Sequence, residues 1–140
     1  MPKTVSSAYD MISTMTPVAR SGDYVFISTK DPALIALLAS QSVATCAEDE
    51  GVSMLISVAL AEKSNLNVDQ PMRWITLNVY SALEGVGLTA AVSAALADSS
   101  IPCNMIAAFH HDHVFVPAKM QEQAMDVLIS LQENAAAHKY

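Results

Sequence analysis

The clearest pattern is an alternation from Arg73 to Tyr80. Ile75, Leu77 and Val79 fall on one side, and Trp74, Thr76, Asn78 and Tyr80 on the other. Period two with β-branched and aromatic residues predicts a strand. A loop with two glycines follows, Ser81 to Gly87. From Val86 to Ala97 the apolar positions change to helical spacing at Leu88, Val92, Ala95 and Leu96, and Pro102 prevents continuation. Cys103 to Phe109 is apolar on both faces and is expected to be a central strand. His110-His111-Asp112 is expected to be a turn, and Val114 to Val116 a third strand closed by Pro117. Ala124, Val127, Leu128 and Leu131 give a second helix within Gln121 to Glu133.

The first half has weaker periodicity. It predicts a short helix over Tyr9 to Met15, a strand over Tyr24 to Ser28, and a helix over Ala33 to Ser40. Strands over Val43 to Ala47 and Val52 to Val58 flank the acidic turn Glu48 to Gly51, and a short helix covers Ala59 to Lys63. Asn65 to Pro71 is the expected linker. Each half then has the order β-α-β-β-α, the first after setting its leading helix aside. The expected units are residues 1–70 and 71–140. That order predicts an α+β fold, a ferredoxin-like βαββα(β) sandwich with helices on one sheet face. Units of about 65 residues bury little core alone, so they are expected to share a sheet or pair with a second chain.

Composition narrows the function. The net charge is −7, and the seven Lys and Arg residues are scattered, so no phosphate-binding surface is expected. Neither nucleic acid nor an anionic membrane is an expected partner. No window is long and apolar enough for a transmembrane helix, and Met1 to Ser7 lacks the apolar stretch of a secretory signal, so the cytoplasm is the expected location. Cys46 and Cys103 are far apart in sequence and are expected to be small buried side chains without a disulfide.

The second half resembles a known family. Ile75-Thr76-Leu77, Ser81-Ala82-Leu83-Glu84-Gly85-Val86-Gly87-Leu88, Ala94-Ala95-Leu96-Ala97 and Ile101-Pro102-Cys103-Asn104-Met105-Ile106 are similar to the ACT domain. ACT domains are regulatory modules that bind amino acids. In the first half, Pro17, Tyr24-Val25-Phe26 and Glu48-Asp49-Glu50-Gly51 resemble a group of bacterial tandem ACT-like proteins of unassigned function, as does His111 to Pro117 in the second. The chain departs from the ACT pattern in two places. One extra residue precedes Asn104, and no fourth strand follows the last helix. Tyr24 to Ser28, or a partner chain, is expected to fill that sheet edge.

The resemblance implies a small ligand, an amino acid, held at the strand-to-helix loop between modules, with no cofactor, no metal and no catalysis. A homodimer is expected, since ACT-like modules associate. Backbone amides at the start of a helix attract a carboxylate, and Gly85 and Gly87 free them of side-chain bulk. The candidate ligand-binding set is Ser81, Leu83, Glu84, Gly85, Val86, Gly87, Leu88 and Asn104, with Glu50 and Gly51 from the first half. Glu84 or Glu50 is the candidate partner of an ammonium.

Other readings stay open on the residues alone. The two glycines serve the turn if the loop is structural. The chain is then an interaction protein that pairs by sheet edges without a ligand. His110-His111-Asp112-His113 has metal-ligand chemistry, but in a hairpin only His111 and His113 share a side. No Gly-x-Ser-x-Gly is present, and neither cysteine has an activating neighbour in sequence.

Overall fold

The computed structural model describes residues 8–79 and 86–137. Along the chain run α1 (Ala8–Thr14), β1 (Thr16–Ala19), β2 (Tyr24–Thr29), α2 (Pro32–Leu38), β3 (Ala44–Glu48), β4 (Gly51–Ser57) and α3 (Val58–Lys63). Then follow β5 (Met72–Asn78), α4 (Leu88–Asp98), β6 (Asn104–Ala107), β7 (Asp112–Pro117) and α5 (Gln121–Ala137). These elements pack as two compact units. One is Gly22–Met72; the other joins the residues ahead of Gly22 to those beyond Met72. The sequence places a division at 70/71, and the packing places divisions at 21/22 and 72/73.

The discontinuous unit has the strand order β1-β5-β7-β6. Its inner face carries the side chains that the alternation of β5 predicts. Ile75, Leu77 and Val79 form one core with Val114 and Val116 of β7. Leu88, Val92 and Leu96 cover them from α4, spaced at i, i+4 and i+8, and Ala124 and Leu128 do so from α5. Met11 of α1 and Met15, the residue that follows the helix, complete the same core. Burial at roughly 25 cal/mol per Å² of apolar surface is what holds this helix layer to the sheet. Helix α4 stops where Ser100 takes a left-handed φ of 58° and Ile101 N–H bonds back to Leu96 O at 2.9 Å.

Two expectations are corrected in this unit. The fourth strand is β1, which pairs antiparallel with β5 from Thr16↔Asn78 to Ala19↔Ile75, whereas of the expected segment Tyr24 to Ser28 only Tyr24 pairs with β5, at Met72. Pro17 is tolerated there because β1 has neighbours on one side only. The second correction concerns β6, which is an edge strand and not a central one; its apolar side chains are only partly buried. The fully buried positions are Val114, Phe115 and Val116 of β7, which has a strand on each side.

The contiguous unit has the order β3-β4-β2, with β2 and β4 antiparallel from Tyr24↔Ser57 to Thr29↔Val52. Asp31 caps α2 by accepting from Ala33 N–H at 3.0 Å, with Pro32 entering the first turn. Ser57 caps α3 through Leu60 N–H at 3.1 Å. Val25, Ile27, Leu38, Met54, Ile56 and Ala61 make its core. Cys46, expected to be buried, is exposed, as are its neighbours along the edge strand β3.

Candidate functional site

Gly87 opens helix α4. Its φ is +108°, a conformation costly for any residue with a Cβ, and among the described residues no side chain caps the helix there. The first helical bond runs from Ala91 N–H to Gly87 O at 2.9 Å. The missing side chain also serves packing. A Cβ on Gly87 would lie 2.7 Å from the Ala8 Cβ of α1. Gly87 therefore makes room for the protein's own first helix. Leu88 is buried in the core and offers only its backbone, whereas Val86 is 79% exposed. Ser81, Leu83, Glu84 and Gly85 lie outside the described residues.

The other members of the set are distributed elsewhere. Asn104 begins β6 opposite Phe115, and β7 separates it from β5. The end of the sheet from which the chain leaves for α4 is marked by Val79, whose carbonyl meets His111 Nδ1 at 3.2 Å. Asp112 and Ala107 pair near that end, and Asn104 is three residues further along, about 10 Å at strand spacing. Within this unit His111 and Asp112 are thus nearer Val79 than Asn104 is. The β5–β7 register that brings His111 to Val79 is not written in either strand's own pattern. Burial raises the Asp112 carboxyl pKa, and His111 partly offsets it.

Glu50 and Gly51 belong to the contiguous unit, at the tight turn between β3 and β4. Glu50 is exposed and Gly51 is buried. A Cβ on Gly51 would lie 2.9 Å from Thr29 O, so the glycine permits the close approach of β2.

A second cluster, outside the set expected from sequence, occupies the sheet face opposite the helices. Trp74 and Thr76 of β5 and His113 of β7 alternate with the core positions and point to this face. Trp74 Nε1–H donates to His113 Nδ1 at 3.0 Å. An indole N–H only donates, so His113 Nδ1 is the acceptor and the neutral imidazole carries its proton on Nε2. Thr76 Oγ1 is 3.1 Å from the same nitrogen and accepts from Arg20 Nε at 2.8 Å. The Arg20 guanidinium carbon stands 4.5 Å from the Trp74 ring centroid, and Trp74 stacks on Phe115 at 5.5 Å and 29°. Burial, then the Arg20 charge, then His111 hold the His113 pKa below its ordinary value.

Among the described residues no group of three or more His, Cys, Asp and Glu side chains could hold a metal ion. Burial pushes the Cys103 thiol pKa up, away from the reactive thiolate. An open groove of about 430 Å³ between α4 and α5 is lined by Ala95, Ser99, Asp126, Val127 and Leu131 among others. It lies toward the other end of α4 from Gly87. No described helix is long and apolar enough to cross a membrane.

An ACT domain model matches residues 70–130, and a second ACT domain model matches residues 6–73. A solved Vibrio cholerae protein of unknown function, described as a possible transport protein, is 32% identical over 89% of this chain and 94% of its own, with a TM-score of 0.78. The chain belongs to the ACT domain family. It carries two ACT domains in tandem, in the ferredoxin-like arrangement that its alternating strands and helices predict. The regulatory subunit of aspartate kinase from Thermus thermophilus, in ligand-free form, shares the fold at 13% identity and a TM-score of 0.59, covering 86% of this chain and 98% of that one. The Agrobacterium tumefaciens protein Atu0741 shares it at 17% identity and a TM-score of 0.62, covering 84% and 89%. No curated protein matches the chain.

Proposed function

We propose that this tandem ACT protein is a non-catalytic regulator that binds a small molecule, an amino acid, at the start of α4. The observation that carries this reading is the pair of ACT domain matches, because ACT domains are regulatory, ligand-binding modules. The uncapped first turn of α4 supports it. The carboxylate would sit on amides at the positive end of that helix, where such a charge gains roughly 0.3–1 kcal/mol, and more when partly buried. Glu84 is the sequence candidate for the ammonium. The protein would work as a cytoplasmic homodimer. The outward edge of β6 is the surface in the discontinuous unit at which a second copy could add a strand.

Thermal unfolding in the presence of each of the twenty amino acids tests the reading. A ligand at 100 times its Kd adds about 2.7 kcal/mol of stability. Val86→Glu is the site variant of choice, since Val86 is exposed and the added carboxylate repels an anion at the α4 amides. The expected result is a melting shift with one amino acid or a close relative, lost in Val86→Glu. A shift that survives unchanged in that variant overturns the site. Absence of any shift at millimolar ligand overturns the amino-acid reading.

A further inference from the structure

The cluster on the helix-free sheet face holds hydrogen-bond donors that its own contacts leave unused. The Arg20 guanidinium is fixed twice, through Nε on Thr76 Oγ1 and through its stacking over Trp74. Its two terminal nitrogens have no partner among the described residues, and the side chain is exposed. Neutral His113 adds a further donor, Nε2–H, beside it. The charges that act on His113 are those of Arg20 and His111, with no carboxylate among them. Arg73 Nη2 donates to the Arg20 carbonyl at 3.1 Å. The chain's only two arginines therefore meet here, in a protein with fourteen acidic side chains.

We propose that Arg20, held over the Trp74 ring and on Thr76 Oγ1 beside His113, is a receptor for a carboxylate. The free edge of a guanidinium offers two parallel N–H donors matched to the two oxygens of a carboxylate. Side-chain ordering, which usually cancels the gain from an exposed ion pair, is here already met by the Thr76 and Trp74 contacts. A planar monoanion fits one fork, whereas a phosphate dianion calls for more cationic groups than this face supplies. The carboxylate belongs either to a free small molecule or to a second copy of this acidic chain. This site is separate from the α4 loop and does not depend on it.

Trp74 is the only tryptophan, so its emission reports on the site directly. Sodium acetate is titrated into the full chain against sodium chloride at matched ionic strength, and the protein alone is diluted in a parallel series. The expected result is a saturable change in emission with millimolar acetate. It should be about tenfold weaker in Arg20→Lys, as loss of one charge-assisted bond implies, and absent in Arg20→Gln. The Arg20 N–H bond to Trp74 O at 2.8 Å does not need the side chain, so β1 stays in place in both Arg20 variants, which far-UV circular dichroism checks. Emission that changes on dilution, and ceases to do so in Arg20→Gln, assigns the carboxylate to a second copy. An acetate response equal to that of chloride, or unchanged in Arg20→Gln, overturns the proposal. So does a response to phosphate with none to acetate.

Discussion

Protonating His113 should loosen the discontinuous ACT unit. The imidazole accepts the Trp74 N–H on Nδ1, and a second proton would place two donors 3.0 Å apart with no acceptor between them. Arg20 adds a like charge from the same face. The folded pKa is therefore depressed, while the unfolded chain protonates near the ordinary value of about 6.5. Below that value the unfolded state binds more protons. The stability that neutral His113 contributes is complete above about pH 6.5 and is lost as pH falls through the folded pKa. One group can give a slope of at most about 1.4 kcal/mol per pH unit. Asp112 also titrates abnormally, so the measurement needs an internal reference. His113→Asn provides it, because the amide oxygen can stand near the Nδ1 position and accept from Trp74 without titrating. Urea unfolding followed by far-UV circular dichroism, between about pH 7.5 and 5, gives the difference between the two chains. The parent chain should lose stability relative to His113→Asn as the pH falls. His113→Leu should cost about 1 kcal/mol at neutral pH, the price of leaving a part-buried indole N–H without a partner. A parent-minus-variant difference that stays constant across the pH range refutes the reasoning.

Two further substitutions probe the ends of α4. Gly87→Ala should destabilise the chain by about 2 kcal/mol, through its positive φ and the overlap with Ala8, with a lowered urea midpoint as the readout. Ser100→Gly should add up to about 1 kcal/mol of stability and so raise the midpoint, since it relieves a left-handed residue at the helix end; unchanged stability would show that the Ser100 backbone carries little strain.

The elements with a strong period were legible in the sequence. The alternation of β5 and the helical spacing of α4 and α5 each mark a buried face, and those faces meet in one core. Methionines Met11, Met15 and Met54 are buried, as gap-filling side chains would be. What escaped was pairing between distant segments. Four residues with a proline carry too little pattern to announce β1, and only its register with β5 makes it a strand. The apolar character of Cys103 to Phe109 suggested burial on both faces, yet an edge position suffices for so short a strand. The candidate loop was legible as a helix start. The second role of Gly87, giving way to Ala8, depends on a contact 79 positions earlier in the chain and has no local signature. The grouping of Arg20 with Trp74 and His113 depends in the same way on two strand registers.

The insertion of residues 22–72 between β1 and the rest of its sheet imposes an order on assembly during synthesis. Every strand and helix of the compact unit Gly22–Met72 has been made once Met72 has emerged, so these elements can pack while the remainder is still being made. The leading segment must wait for β5 before its strand has a partner, and for α5 before Tyr9 can donate its hydroxyl proton to Ala135 O. A ribosome halted between the two units would thus display one packed unit and one orphaned strand. A cut at residue 70 would part β1 from its partner β5.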